Sequence, residues 1–253
     1  MDKRLQTASR QQPPPLEIEP AATHLSFNMR LFLASHRFGE FSTALLDLAG
    51  GPGGRVAVVS NALDFIPASD RLGYARTVYD QMQVFRDLGL EPFDLDLRRY
   101  FSTPQTLGAA LEDASLVWAT GGNAFLLRLA MRLSGFDELI VRLLSTDRLA
   151  YGGYSAGAVV AGPSLEGIDL MDAPDLEVAG YPRQTIWDGL GLIDQNLVPH
   201  YRSDHPESAD AERVVAAHHA ALRPYATLAD GDVLIREGEL TSIHRAATYC
   251  DRS

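Results

Sequence analysis

Cysteine is nearly absent: Cys250 is the single one in 253 residues. Neither an intramolecular disulfide nor a cysteine-built zinc site can therefore form, and a reducing cytoplasm is the expected setting. No stretch reaches the roughly 18 consecutive apolar residues of a membrane helix. The opening Met1-Asp2-Lys3-Arg4 runs into glutamine and proline rather than an apolar signal core, so neither a membrane nor export is expected. Positive charge is also short, with 22 Lys and Arg against 33 Asp and Glu, a net −11. That field repels phosphate backbones and argues against nucleic acid as a partner. A Walker A loop, a complete GxGxxG fingerprint and any internal repeat are missing too, and no cofactor or metal is expected.

What remains is 46% apolar and 22% charged residues, the balance of a soluble globular chain with a sizeable core. Residues 1–28 carry Pro13, Pro14, Pro15 and Pro20 with little apolar periodicity, the composition of a disordered tail. Residues 29–253 are expected to form one domain. Apolar runs at 29–35, 55–61, 91–95 and 116–119 read as strands, and stretches at 71–88, 104–113, 125–131 and 136–145 read as helices. Such alternation predicts an α/β fold: a doubly wound, mostly parallel sheet flanked by helices. The last third reads as a strand at 197–199, a helix at 206–222 and three short strands between 226 and 243. Those three strands predict a small antiparallel edge near the C-terminus.

The most informative stretch is Gly153-Tyr154-Ser155-Ala156-Gly157-Ala158. It is a GxSxG turn between an apolar strand and a helix rich in Ala and Val, the pattern of a nucleophile elbow. The chemistry needs a serine on a tight corner, small neighbours that let the backbone bend, and free amides at the helix start to hold an oxyanion. A glycine-rich turn whose serine merely caps the helix would show the same short pattern. A second corner, Thr120-Gly121-Gly122-Asn123, also ends a strand, on the edge where open α/β sheets bind ligands. The amides of Gly122 and Ala156 are thus the oxyanion-hole candidates.

A serine nucleophile requires a base, and seven histidines are present. His24 falls in the tail, His36 directly follows the first strand, and His218 and His219 read as the solvated face of a helix. His205, in Asp204-His205-Pro206-Glu207, reads as a helix-start residue. His200 ends the apolar run Leu197-Val198-Pro199, again at a strand's carboxyl end, and is the best base. An α/β-hydrolase order of serine, acid and histidine would demand Ser155, Asp230 and His244, but His244 lies inside a strand pattern, so serine, histidine, then acid is preferred.

These residues resemble the peptidase E family of serine peptidases, which shares its fold with cyanophycinases and class I glutamine amidotransferases. The resemblance runs from about Met29 to His244 and is carried by Gly121-Gly122-Asn123-Ala124-Phe125, by Gly153-Tyr154-Ser155-Ala156-Gly157 and by Val198-Pro199-His200-Tyr201. It implies that Ser155 is the nucleophile, His200 the general base, and Gly122 with Ala156 the oxyanion donors. The third member implied is Asp230, in Leu228-Ala229-Asp230-Gly231, where related enzymes usually carry Glu. A second placement puts the acid soon after the elbow, at Asp169 or Asp172, with Glu166 also available. Asn123, Arg202 and Asp210 are the substrate-contact candidates. Asp210 and Ala209 occupy the place where aspartyl-specific members carry an arginine, which weighs against strict aspartyl specificity. The resemblance implies a cytoplasmic, homodimeric serine peptidase acting on short peptides, dipeptides among them. A β-aspartyl hydrolase like cyanophycinase, or a binding protein on the same fold, is the alternative.

Overall fold

The computed structural model describes residues 29–247; the expected N-terminal tail and Cys250 lie outside the described residues. The chain runs through strand β1 (Arg30–Ala34), helix α1 (Ser42–Leu48), β2 (Arg55–Val59), α2 (Ala68–Thr77), α3 (Gln81–Asp87) and β3 (Glu91–Asp94). It continues through α4 (Leu107–Ala110), β4 (Leu116–Ala119), α5 (Ala124–Leu133), α6 (Phe136–Ser145), β5 (Ala150–Tyr154) and α7 (Ala156–Val159). The last part contains β6 (Asn196–Val198), α8 (Ser208–Ala220), β7 (Tyr225–Thr227), β8 (Val233–Glu237) and β9 (Leu240–His244).

Seven strands form one sheet in the order β3-β2-β4-β5-β1-β8-β9. The first five are mutually parallel, and β8 and β9 extend the sheet antiparallel beyond β1. Alternation along the inner strands explains why both faces are covered. Leu31, Leu33, Ala57, Val59, Val117 and Ala119 pack under Phe125, Leu127, Phe136 and Ile140. Their neighbours Phe32, Ala34, Val56, Val58, Leu116 and Trp118 pack under Leu45, Leu48 and Phe85 on the opposite face. Successive side chains point to opposite faces of a strand, so a strand buried on both sides must be apolar throughout. Pro92, which cannot donate to a ladder, sits on the edge strand β3.

Three local expectations are corrected. The single helix expected over 71–88 is two, because Asp80 leaves helical geometry and accepts a hydrogen bond from the Gln83 amide, capping α3. Of the two, α3 buries Phe85 against Trp118 at 5.6 Å between ring centroids, whereas α2 buries nothing. The helix expected over 104–113 is a 3₁₀ turn followed by the four-residue α4. The strand expected to begin the antiparallel edge, β7, pairs instead with β6, in parallel and in a separate two-stranded sheet.

Candidate active site

Neighbouring strands deliver their carboxyl ends to one rim. The register Ala119↔Gly153 aligns β4 with β5, and Ala34↔Tyr154 aligns β5 with β1. The residues that follow these strands, Gly121-Gly122, Ser155 and Ser35-His36, therefore stand in one row, as expected at the ligand edge of an open α/β sheet.

Ser155 sits where β5 turns into α7, with φ 47° and ψ −116°. A non-glycine residue rarely holds that conformation, and it recurs where function requires a strained corner. Small residues make the corner possible. A Cβ on Gly157 would lie 2.1 Å from the Ala119 carbonyl oxygen, and one on Gly153 would lie 2.8 Å from the same atom. The first turn of α7 is thereby pressed onto β4. Gly122, at φ 132°, likewise has no room for a Cβ, which would fall 2.5 Å from the Ala62 carbonyl oxygen. Among the described residues no acceptor takes the amide of Gly122 or Ala156, so both remain free to donate. Asn123 caps α5: its Oδ1 accepts from the Leu126 amide at 2.8 Å and its Nδ2 donates to the Ala173 carbonyl at 2.9 Å. Its side chain thus braces the corner while lining the cleft.

The parallel pair β6 and β7 brings the histidine and the acid together. With Val198 opposite Thr227, His200 and Asp230 follow the ends of the two strands, and His200 Nδ1 lies 2.7 Å from Asp230 Oδ1. Sequence reasoning missed the residue that ties both to the main sheet. Buried Ser35 accepts from the His200 backbone amide at 2.8 Å and donates to Asp230 Oδ1 at 2.8 Å. Ser203 Oγ accepts from the Asp230 amide at 2.7 Å. Burial works to raise the Asp230 pKa, but the hydrogen bonds with His200 and Ser35 and the nearby imidazoles prevail and hold it below the ordinary carboxylate value. The only signal in the sequence was a serine at a strand's carboxyl end. Ser35→Ala leaves the fixed His200 amide without its partner, so kcat is expected to fall about tenfold with little change in KM; steady-state kinetics check this.

Two histidines not chosen as the base, His36 and His205, join the site. The His205 ring stacks on His200 with centroids 3.7 Å apart and planes 7° apart, and His36 stands 6.1 Å from His200 and 5.8 Å from His205. Burial lowers the pKa of both His36 and His205, favouring neutral rings. One donor atom from each of His36, His200, His205 and Asp230 lies within 4.8 Å of the others. Lone pairs lie in the ring planes, so the parallel His200 and His205 rings do not converge on one ion, and His200 Nδ1 is already engaged with Asp230. His218, read as solvated, is buried against Tyr225, and neither ring nitrogen has a hydrogen-bond partner. His219 is exposed. His244 is exposed on β9, where it meets Ser242.

A cleft of about 650 Å³ opens over this rim, lined among others by His36, Gly122, Asn123, Ser155, Asp172, His200, His205 and Glu207. Glu207 Oε2 lies 3.7 Å from His200 Nε2. Of the alternative acids, Asp169 accepts from the Gly167 amide beside it, and Glu166 pairs with Arg223. Asp172, the other aspartate after the elbow, lines the cleft and accepts from the Ala124 amide at 2.7 Å. Burial pushes its pKa up to about 7, with Glu207 adding to the rise, against the Ala124 hydrogen bond and His200. Arg202 and Asp210 do not line the cleft; Arg202 bonds Glu212 at 2.9 Å and Asp210 pairs with Arg213.

The raised pKa of Asp172 sets a pH dependence. A carboxyl whose folded pKa exceeds its unfolded value binds more protons when folded, so stability falls as pH rises from about 4 to about 7. Asp172→Asn is therefore expected to raise the melting temperature at pH 8, with the gain shrinking towards pH 4. Full linkage for such a shift is about 4 kcal/mol, reduced by water in the open cleft. Thermal melts of both proteins across that range check it.

The fold and this rim define a class: an open α/β sheet whose ligand edge carries a strained serine corner beside a histidine–carboxylate pair. Comparison with known proteins narrows it. The model of peptidase family S51 matches residues 35–243, and the chain belongs to that family of serine-type peptidases. It is 29% identical over 153 residues to an uncharacterized peptidase of Listeria innocua, covering 60% of this chain and 69% of that protein. It is 31% identical over 157 residues to peptidase E of Streptomyces coelicolor, covering 59% of this chain and 60% of that one. The fold matches a crystal structure from Listeria monocytogenes EGD-e assigned provisionally to peptidase E. The TM-score is 0.70 at 22% identity, covering 87% of this chain and all of that one.

Proposed function

We propose that this peptidase cleaves short peptides through an acyl-enzyme formed on Ser155. The observation that carries the reading is the His200–Asp230 hydrogen bond at 2.7 Å in a cleft shared with the strained elbow serine. Ser155 Oγ attacks the scissile carbonyl carbon while its proton passes to His200 Nε2. Asp230 holds Nδ1–H and steadies the imidazolium. The carbonyl oxygen, now an oxyanion, accepts from the Gly122 and Ala156 amides. Collapse breaks the C–N bond, and the imidazolium protonates the departing amine. Water, deprotonated by His200, then attacks the acyl carbon and releases Ser155.

Labelling with a fluorophosphonate, followed by peptide mapping, tests the reading directly. An adduct on Ser155 is expected, and none would favour a binding protein on this fold. Assaying α- and β-linked aspartyl dipeptides side by side separates the cyanophycinase-like alternative. A cytoplasmic homodimer belongs to the same proposal, supported by the single cysteine and the family resemblance, and gel filtration checks the dimer. Among the described residues no helix is long and apolar enough to cross a membrane.

A further inference from the structure

Resting on the serine-peptidase reading, the shape and charge of the cleft assign a substrate class. We infer that it takes peptides with a free amino terminus and an apolar first residue, the ammonium held by Glu207 and Asp172, and excludes an acidic first residue. The first support is the apolar wall. Leu63, Phe65 and Ile66 from the segment between β2 and α2 and Tyr74 from α2 face the same cleft as Met171 and Leu176 from the segment after α7. Phe65, Tyr74 and Leu176 remain 44%, 51% and 38% exposed, although large apolar side chains gain by burial. An apolar substrate side chain laid on that wall would supply it.

The second support is a separate recess of about 10 Å³ beside the nucleophile, bordered by Ser155, Ala156, Val159, Met171, Pro199 and the two carboxyl-bearing residues Asp172 and Glu207. That volume is close to the space one water molecule needs, roughly 10–15 Å³, and an ammonium group is of similar size. An ammonium placed there stands next to the carbonyl that Ser155 attacks, which limits cleavage to the first peptide bond.

The third support is the distribution of cations. Among the described residues Arg71 is the one arginine or lysine lining the cleft, and it pairs with Asp64 at 3.3 Å. Arg202 and Arg213 engage Glu212 and Asp210 outside the lining. An acidic first side chain would therefore meet Asp70, Asp172 and Glu207, while the arginine in the lining is already engaged by Asp64, and like charges brought together disfavour binding strongly.

The experiment compares alanyl, leucyl, phenylalanyl, aspartyl and N-acetyl-leucyl p-nitroanilides. The leucyl and phenylalanyl substrates are expected to exceed the aspartyl and acetylated ones in kcat/KM by about 100-fold or more. In Glu207→Gln the advantage of the free over the acetylated leucyl substrate should shrink about tenfold, through KM. The acetylated substrate in the same variant controls for misfolding. Phe65→Ala should raise KM for the phenylalanyl substrate about tenfold relative to the alanyl one. Preference for aspartyl, indifference to acetylation, or an unchanged ratio in Glu207→Gln would overturn the assignment. Fluorophosphonate labelling separates the two layers. A Ser155 adduct without turnover of apolar substrates refutes the specificity alone, whereas absence of the adduct refutes the serine mechanism and this inference with it.

Discussion

Ser155→Ala is expected to abolish hydrolysis while leaving the fold intact. Deleting the nucleophile of a serine peptidase costs about 10⁶ in kcat, because the covalent route is lost and only binding and oxyanion stabilisation remain. The stability cost should be small. The Ser155 side chain makes no capping hydrogen bond to α7, and the turn is held by backbone contacts, including the Ser155 amide to the carbonyls of Ala34 and Ser35. Alanine at a positive φ carries about the same strain as serine. Circular dichroism and melting should match the parent, and fluorophosphonate labelling should vanish. Turnover within tenfold of the parent would show that another group attacks the substrate.

Asp230→Asn should lower kcat by about 10⁴-fold with the geometry preserved, since an amide in this place favours the wrong tautomer of the base. The surroundings make the test clean. Ser35 Oγ donates to Asp230 Oδ1, and Ser203 Oγ holds the Asp230 amide, so an isosteric side chain stays in place. The variant also loses a stabilising charge. A carboxylate with a depressed folded pKa contributes stability above its unfolded pKa and loses it as pH falls through the folded value. Asp230→Asn should therefore be less stable than the parent at pH 7, and the gap should close below about pH 4. Asp169→Asn and Glu166→Gln, whose acids engage Gly167 and Arg223, should cost less than about tenfold. A larger loss in either than in Asp230→Asn would move the acid to the segment after the elbow.

The parts of this site legible in the sequence are those whose chemistry is local. A serine between small residues at a strand-to-helix corner needs Gly153 and Gly157 because a Cβ at either would strike the Ala119 carbonyl. That requirement leaves a GxSxG string. His200 was found by the same logic, a chemical side chain just past an apolar run. Helix α6 matched its expected bounds because a strong apolar stripe and a left-handed Gly135 before it mark both face and start. The break between α2 and α3 was hidden because the chain is helical on both sides of Asp80, and a cap is only one aspartate among many.

The sequence by itself determined the alternation of strands with helices, the two glycine corners and the serine and histidine candidates, since each depends on residues within a few positions of one another. Tertiary structure decided the rest. Pairing β6 with β7 in parallel, a contact between segments about 30 residues apart, brings Asp230 to His200, and no local pattern encodes which strand a three-residue segment will choose. Ser35 bridges a pair lying 165 and 195 residues away. His205 lies flat on His200, and Asp172 is half-buried against the start of α5. Burial and proximity set the protonation of these groups. Both are properties of the packed chain, because desolvation and charge interaction depend on distance in space rather than distance along the sequence.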